Sequence, residues 1–254
     1  MTCVATGLIG FWLAFTPTQH HIPRMPFNRN AKPSVTLEQG TYIGAQVRQR
    51  YPQTIEEFLG VPYGKSTGGE MRFRGPLPVS PSTQTFDASR LGYRCPFWAS
   101  DGPGTHVQDE DCLNLNIYRP RKRPYLEKLP VLIHFYGGSF NFGMGNARQI
   151  DNLVGWSENP FVGVSFNHRV GALGFLSGKV AEKEGLLNAG LKDQELLLNW
   201  VRQNIAAFGG DPDNVTIMGT SAGAHGVSNL ACFVQDISLG WVIILNNQIF
   251  SPKL

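Results

Sequence analysis

Three continuous apolar runs constrain the fold of this chain most strongly. They are "LPVLIHFYGG" (129–138), "FVGVSFNHR" (161–169) and "VTIMG" (215–219). Such runs are typical of strands that are buried on both faces of a parallel sheet. Residues 188–210 instead repeat apolar side chains at helical spacing from Leu197 to Phe208, and Gly209 follows as a stop signal. Strands that alternate with helices predict an α/β protein with a mostly parallel central sheet.

Shorter patterns extend this prediction toward both ends of the chain. "SVTLEQGTYIGAQV" (34–47) contains two extended runs around a Gln-Gly turn, which predicts a β-hairpin before the sheet. "FLGVPYG" (58–64) and the alternating "LNLNIYRP" (113–120) predict two further strands, with an irregular stretch between them. Residues 222–234 follow the last apolar run and predict a helix.

The composition is that of an ordinary globular protein. The 254 residues are 42% hydrophobic and 16% charged, with a net charge of +3, enough apolar mass for a sizeable core. The basic run at 119–124 contains prolines and no aromatic residue, so we expect a solvated loop and no nucleic-acid partner. The histidines and cysteines do not have the spacing of metal ligands, so we expect no metal. The glycine-rich turns lack the lysine of a phosphate-binding P-loop, so we expect no cofactor.

A candidate nucleophile follows the third apolar run directly. In "GTSAG", Ser221 lies between Gly219 and Gly223, after a predicted strand and before a predicted helix. The pattern Gly-x-Ser-x-Gly occurs often by chance, but a strand–turn–helix setting is what a nucleophile elbow requires. The small residues let strand and helix approach closely while the serine takes a strained backbone conformation.

A second glycine-rich turn follows the first apolar run. "HFYGGSF" (134–140) offers exposed backbone N–H groups at the end of a buried strand. Such groups, together with the N–H of Ala222, can stabilise the oxyanion that forms during ester hydrolysis. A plain turn is the alternative for this segment. Two motifs at the ends of two buried strands favour the catalytic interpretation.

The sequence resembles the type B carboxylesterases, the cholinesterase and fungal lipase family of α/β-hydrolases. The resemblance covers about three-quarters of the chain. It rests on "FLGVPYG", "MRFRGP", "DEDCLNLNIYRP", "VLIHFYGGSF", "NHRVGALGFL" and "NAGLKDQELLLNWVRQNIAAFGGDPDNVTIMGTSAGAHG". It implies the N-terminal part of an α/β-hydrolase fold and a carboxylic ester hydrolase that works through an acyl-enzyme on a small-molecule ester.

The resemblance also implies roles for individual residues. Ser221 would be the nucleophile, and the amides of Gly138, Ser139 and Ala222 would form the oxyanion hole. Thr220 stands where the family commonly has Glu, which argues against a preference for cationic substrates. The resemblance further implies a disulfide between Cys95 and Cys112; the residues alone leave open two reduced, buried cysteines. Finally, it implies two ion pairs, Arg72 with Glu110 and Arg169 with Asp193.

The catalytic base is harder to place. In this fold the acid and then the histidine follow the serine, and His225 is the only histidine after Ser221. We expect a structural role for His225, four residues along the helix, and a packing or turn role for His134. At the position of His168, relatives usually carry an aromatic residue. Because the family is longer than this chain, the resemblance implies a sequence that stops after the elbow, without its triad acid and histidine.

The two ends of the chain differ from the middle. Residues 4–15 form an apolar run too short to span a bilayer, which favours a signal peptide over 1–21 and a secreted protein; a disordered N-terminus is the alternative. We expect a linker over 22–34, a partial carboxylesterase domain over 35–234, and an atypical tail over 235–254 that includes the strand-like run "WVIILNNQIF". We expect no integral membrane span, and the sequence gives no oligomeric state.

Two other functional interpretations remain open beside the esterase. A non-catalytic cholinesterase-like domain could serve binding or adhesion, although it would have no need for Ser221. A non-functional fragment would expose a hydrophobic sheet edge and aggregate. Reaction of Ser221 with a serine-directed probe separates these alternatives.

Overall fold

A computed structural model describes residues 32–98, 107–121, 128–145, 150–233, 242–245 and 248–249, the last two ranges as backbone only. The expected signal peptide and the linker up to residue 31 lie outside these ranges, as does most of the tail. Residues 242–245 and 248–249 are strands, in agreement with the strand-like run. The domain boundaries otherwise stay predictions.

Eleven strands and five α-helices are formed by the described residues. The strands are β1 (Ser34–Leu37), β2 (Gly40–Ile43), β3 (Ala45–Val47), β4 (Ile55–Pro62), β5 (Thr85–Asp87), β6 (Asn114–Pro120), β7 (Leu129–Phe135), β8 (Val162–Phe166), β9 (Gly210–Gly219), β10 (Val242–Leu245) and β11 (Gln248–Ile249). The helices are α1 (Ile150–Trp156), α2 (Gly171–Phe175), α3 (Lys179–Lys183), α4 (Ala189–Asn204) and α5 (Ala222–Phe233). Short 3₁₀ turns cover Gly69–Met71 and Ile205–Phe208.

The predicted hairpin forms outside the main sheet. β1 and β2 pair in antiparallel fashion, and β5 joins β2 to complete a three-stranded sheet. The turn lies at Glu38 and Gln39, and Gly40 follows with a φ of 132°. A side chain at Gly40 would also collide with the carbonyl oxygen of Gln84, so glycine is required both for the turn and for the approach of β5.

The central sheet has eight strands in the order β11-β10-β9-β7-β8-β6-β4-β3. It is mixed rather than mostly parallel. The pairs β10–β9, β9–β7 and β7–β8 are parallel, whereas β8–β6, β6–β4, β4–β3 and β10–β11 are antiparallel. The three parallel pairs are adjacent, and they include β7, β8 and β9, the strands formed by the three apolar runs.

Helices cover both faces of this sheet. On one face, α4 and α5 bury Leu197, Val201 and Val227 in the main core. On the other face, α1 contributes Ile150 and Val154 to a smaller cluster with residues of β4 and β6. This two-sided cover explains why β6 and β8 are buried along their whole length.

Polar cross-links hold the loops around the sheet. Both ion pairs implied by the resemblance are present: Arg72 with Glu110 near the surface, at 2.5 Å, and Arg169 with Asp193 in the interior, at 2.6 Å. The interior pair is bidentate, because the Nε of Arg169 also donates to Asp193 at 2.9 Å. The Arg169 guanidinium donates further to the carbonyl oxygen of Arg74, which ties a distant loop to α4.

A disulfide joins Cys95 and Cys112, with the Cα atoms 4.9 Å apart. Both cysteines are buried, at 1% and 0% exposure. The two cysteines are 17 positions apart in the sequence. Closing a loop of this length restricts the unfolded chain and stabilises the fold by about 3 kcal/mol in the chain-entropy model.

Candidate active site

Ser221 occupies a sharp turn between β9 and α5. Its φ is 53°, in the left-handed region, which costs a non-glycine residue of order 1–3 kcal/mol and is seen at functional sites. Position 221 is exposed, and its hydroxyl forms no hydrogen bond within the described residues. The serine therefore lies outside helix α5 and presents an accessible hydroxyl at the end of strand β9.

Two glycines make this turn sterically possible. A Cβ at Gly219 would lie 2.5 Å from the backbone nitrogen of Ala224, and a Cβ at Gly223 would lie 2.1 Å from the carbonyl oxygen of Phe135. Both distances are far below van der Waals contact. The first turn of α5 thus packs directly on the ends of β7 and β9, as the small residues of the motif predict.

The glycine turn after β7 lies against this elbow. Strand register brings the two together, because Phe135 at the end of β7 pairs with Gly219 at the end of β9. The N–H of Thr220 donates to the carbonyl of Phe135 at 3.2 Å. A Cβ at Gly137 would stand 2.6 Å from the Thr220 oxygen and 3.0 Å from the Cβ of Ser221. The loop and the nucleophile turn are in direct contact.

The loop Gly137–Gly143 holds an unusual conformation. Gly138, Ser139, Phe140 and Gly143 all have positive φ, at 123°, 53°, 58° and 121°. The carbonyl of Gly138 accepts N–H bonds from Asn141 and Phe142. A side chain at Gly138 would clash with the Phe142 oxygen at 2.0 Å. The surrounding contacts hold these consecutive positive-φ residues in place. Strained backbone persists at binding sites when it is held in this way.

Three backbone amides in these two turns donate no hydrogen bond within the described part of the chain. The N–H groups of Gly138, Ser139 and Ala222 form no hydrogen bond with any residue the structure describes. Ala222 is the first residue of α5, where helix geometry leaves the N–H without an internal partner. Amides without a partner are able to donate to an oxyanion, which makes these three candidates for that role.

Aromatic side chains line the same loop. Phe142 is 53% exposed, and its ring lies against Gly138, where a Cβ would be 3.1 Å from the ring. Phe140 contacts Phe175 of α2 with ring centroids 4.8 Å apart, and its carbonyl accepts the N–H of Gly171 at 2.6 Å. Phe142 therefore adds exposed apolar surface to the loop, beside the exposed polar residues Ser139 and Asn141.

The described histidines do not supply an obvious base. His225 is exposed, and its Nδ1 lies 3.2 Å from the carbonyl oxygen of Ser221, a contact within one helical turn. His134 lies in β7, 9% exposed, and burial lowers its pKa. His168 is also buried. The burial of His134 in β7 agrees with a packing role, and the structural role of His225 stays a prediction.

His168 is enclosed by the protein, and this changes its pKa. Its ring stacks on Tyr136 with centroids 4.4 Å apart, and its Nδ1 lies 3.0 Å from the Arg169 carbonyl oxygen. Burial lowers the pKa of His168 to about 4. The ring is therefore neutral at physiological pH and fills the position of an aromatic residue.

Tyr136 is a site residue that the sequence did not single out. Its hydroxyl donates to the carbonyl of His168 at 2.8 Å and accepts the N–H of His168 at 3.3 Å. Since Tyr136 immediately precedes Gly137, these bonds anchor the start of the loop Gly137–Gly143 to the segment that follows β8. A tyrosine directly before the two glycines was the only sequence signal for this role.

Comparison with known proteins decides the family. The sequence model of the Carboxylesterase family matches residues 31–236. The chain belongs to this family. Among carboxylesterase relatives, secreted lipase 4 of Gibberella zeae is 34% identical over 245 residues, which cover 90% of this chain and 44% of the lipase. Esterase E4 of Myzus persicae is 38% identical over 203 residues, which cover 78% of this chain and 35% of that esterase.

Solved carboxylesterase structures show the same fold. A PNB esterase superposes with a TM-score of 0.70 and 32% identity over 79% of this chain and 41% of its own. The α/β-hydrolase fold expected from the sequence is confirmed. The chain spans 32% to 44% of the length of the curated secreted lipases that it matches.

Two further properties concern only the part of the chain that the structure describes. None of its helices is long and apolar enough to cross a membrane. No group of three or more His, Cys, Asp or Glu side chains within it could hold a metal ion.

Proposed function

We propose that the chain carries the nucleophile and the oxyanion hole of a carboxylic ester hydrolase. The hydroxyl oxygen of Ser221 attacks the ester carbonyl carbon, and the carbonyl oxygen becomes an oxyanion bound by the amides of Gly138, Ser139 and Ala222. The alcohol then leaves and an acyl-enzyme remains, which water hydrolyses to the free acid. The observation that carries this proposal is the strained, accessible Ser221 in contact with a loop of unused amides.

The proton of Ser221 needs an acceptor that the described histidines do not provide. His134 and His168 are buried away from solvent, and His225 contacts a backbone carbonyl. We therefore place the general base outside the described residues. An oxyanion hole alone retains part of the rate enhancement of such sites, so the reaction should respond to a base supplied in solution.

The substrate proposed is a neutral ester with an apolar acyl group. The exposed ring of Phe142 and the Phe140–Phe175 pair supply apolar surface beside the amides. Thr220 leaves no carboxylate directly before the nucleophile, so a cationic substrate finds no charged partner at that position. Some relatives are named lipases and others esterases, and both classes act on carboxylic esters.

A secretory location is part of the proposal. The apolar run at 4–15 suits a signal peptide, and the Cys95–Cys112 disulfide suits an oxidising compartment. Several relatives are named secreted lipases.

Chemical rescue tests the ester hydrolase. The full chain and Ser221→Ala are incubated with p-nitrophenyl butyrate at increasing imidazole concentration, and the hydrolysis by imidazole alone is subtracted. We expect an imidazole-dependent rate for the parent chain and none for Ser221→Ala. Equal rates for the two proteins would reject Ser221 as the nucleophile.

A non-catalytic binding domain is the second candidate, favoured by the absence of a positioned base among the described histidines. It predicts that p-nitrophenyl butyrate never acylates Ser221, with or without imidazole, in a chain that is folded by circular dichroism. Mass spectrometry of the intact protein distinguishes this outcome from slow catalysis, because an acyl-enzyme adds the mass of the butyryl group.

A further inference from the structure

One sequence motif has no part in the proposed chemistry. Asn214-Val215-Thr216 is the single Asn-x-Ser/Thr triplet in the 254 residues whose middle residue is not proline. This triplet is the acceptor pattern for N-linked glycans, and it is used only on chains that enter the secretory pathway. A single triplet makes any glycan assignable without ambiguity.

The structure places the acceptor side chain on the surface. Asn214 is exposed, whereas its neighbour Val215 is fully buried. The β7–β9 ladder is interrupted here: Leu129 pairs with Gly210 and Val131 with Val215, so residues 211–214 bulge from the strand. The Asn214 side chain forms no hydrogen bond with the described residues, so its amide nitrogen is not committed to the fold.

A glycan at this position leaves the candidate active site open. Strand β9 runs from Gly210 toward Gly219, and Ser221 follows it. Asn214 lies five residues before Gly219, the last residue of β9, a span of about 17 Å at the usual strand rise, and Ser221 lies beyond Gly219 in the turn. The acceptor and the nucleophile thus stand near opposite ends of one strand.

A second observation points to the same compartment. The buried Cys95–Cys112 disulfide needs an oxidising environment to persist, and the secretory pathway is where N-glycans are attached. Attachment occurs in the same lumen where the disulfide would form.

We propose that Asn214 carries an N-linked glycan. The inference rests on the secretory location proposed above, and it is independent of ester hydrolysis. The Nδ2 of Asn214 attacks the anomeric carbon of an oligosaccharide held on a lipid pyrophosphate donor. The new C–N bond replaces the C–O bond, the amide loses one proton, and the lipid pyrophosphate leaves.

Translation of the full chain in the presence of endoplasmic reticulum microsomes tests the site. The parent chain, Asn214→Gln and Thr216→Ala are compared, with Asn199→Gln as the control, because Asn199 is exposed but lies outside any acceptor triplet. We expect one slower-migrating form for the parent and the control. Peptide N-glycosidase should remove it and leave Asp at position 214, and both triplet variants should lack it.

A protease-protection assay tests the secretory location separately from the glycan at Asn214. An unmodified chain protected inside the vesicles would overturn the glycan at Asn214 alone. An unmodified chain that remains outside the vesicles would overturn both the glycan and the secretory location. Neither result bears on ester hydrolysis, since Ser221→Ala should be glycosylated like the parent.

Discussion

The Cα of Gly223 lies against the carbonyl oxygen of Phe135, so closely that a Cβ at position 223 would stand 2.1 Å from that oxygen. This contact joins the first turn of α5 to the end of β7. It brings together the helix that follows Ser221 and the strand that precedes the loop Gly137–Gly143. The geometry of the candidate site depends on the absence of a side chain at this point.

Gly223→Ala should destabilise the fold and displace the elbow. The opposing atom is backbone and cannot rotate away, so overpacking should lower the free energy of unfolding by about 1–3 kcal/mol. Urea denaturation measures the loss. Gly75→Ala is the matched control, because its Cβ would meet only the Cδ of Lys192, at an ordinary contact distance of 3.9 Å. Equal stability of the two variants would contradict the packing described here.

Gly137→Ala should lower both stability and reactivity, because the opposing Thr220 oxygen is also a backbone atom. The added methyl would press on the Thr220 oxygen and on the Cβ of Ser221 and move the loop amides away from the nucleophile. Loss of one oxyanion donor lowers rates by about 10²–10³-fold, and we expect a fall of that order in the imidazole-dependent acylation of Ser221. An unchanged acylation rate would show that the loop amides do not take part in the reaction of Ser221.

Asp193→Asn should be among the most destabilising conservative changes. Arg169 and Asp193 have side chains 2% and 0% exposed, and removing one member of such a pair leaves a buried, uncompensated charge that costs about 3–5 kcal/mol. Glu110→Gln is the control, since its partner Arg72 is half exposed and solvent screens that pair. Equal thermal midpoints for the two variants would contradict the claim that the buried pair contributes more to stability than the exposed one.

Acid should weaken the fold through His168. Its pKa in the folded chain is about 4, below the value of about 6.5 for a free histidine. Between pH 6.5 and pH 4, His168 is protonated in the unfolded chain but stays neutral in the folded chain. The free energy of unfolding therefore falls as the pH falls. The loss attributable to His168 amounts to about 3 kcal/mol, from the free-energy equivalent of that pKa shift.

His168→Phe isolates this contribution. The variant keeps an aromatic ring against Tyr136 but cannot titrate, so its unfolding free energy should decline less between pH 7 and pH 4.5 than that of the parent. Some decline should persist, because burial also lowers the pKa of His134. An identical decline in both proteins would show that His168 is accessible to protons in the folded state.

The sequence predicted the elements whose signals are local. The apolar runs correspond to β7, β8 and β9, and the helical spacing corresponds to α4, whose last turn tightens into the 3₁₀ segment before Gly209. Ser221 was predicted between a strand and a helix, and the structure has it there. In each case neighbouring residues determine the conformation.

Features that depend on distant residues could not be predicted in the same way. An apolar run shows that a strand is buried but not the direction of its neighbour, so the antiparallel β6–β8 pair was missed. Helix α1 was missed because only two of its buried residues, Ile150 and Val154, are large and apolar. The stacking of His168 on Tyr136 joins residues 32 positions apart, and only the folded chain brings them together.

Mapping the site of a covalent probe tests whether Ser221 is the nucleophile. The full chain is treated with a fluorophosphonate probe in the presence of imidazole, digested, and analysed by peptide mass spectrometry, with Ser221→Ala in parallel. The account predicts one phosphonylated residue, Ser221, with a yield that rises with imidazole, and no adduct in Ser221→Ala. A folded chain without an adduct at Ser221, or with adducts spread over other serines, would contradict it.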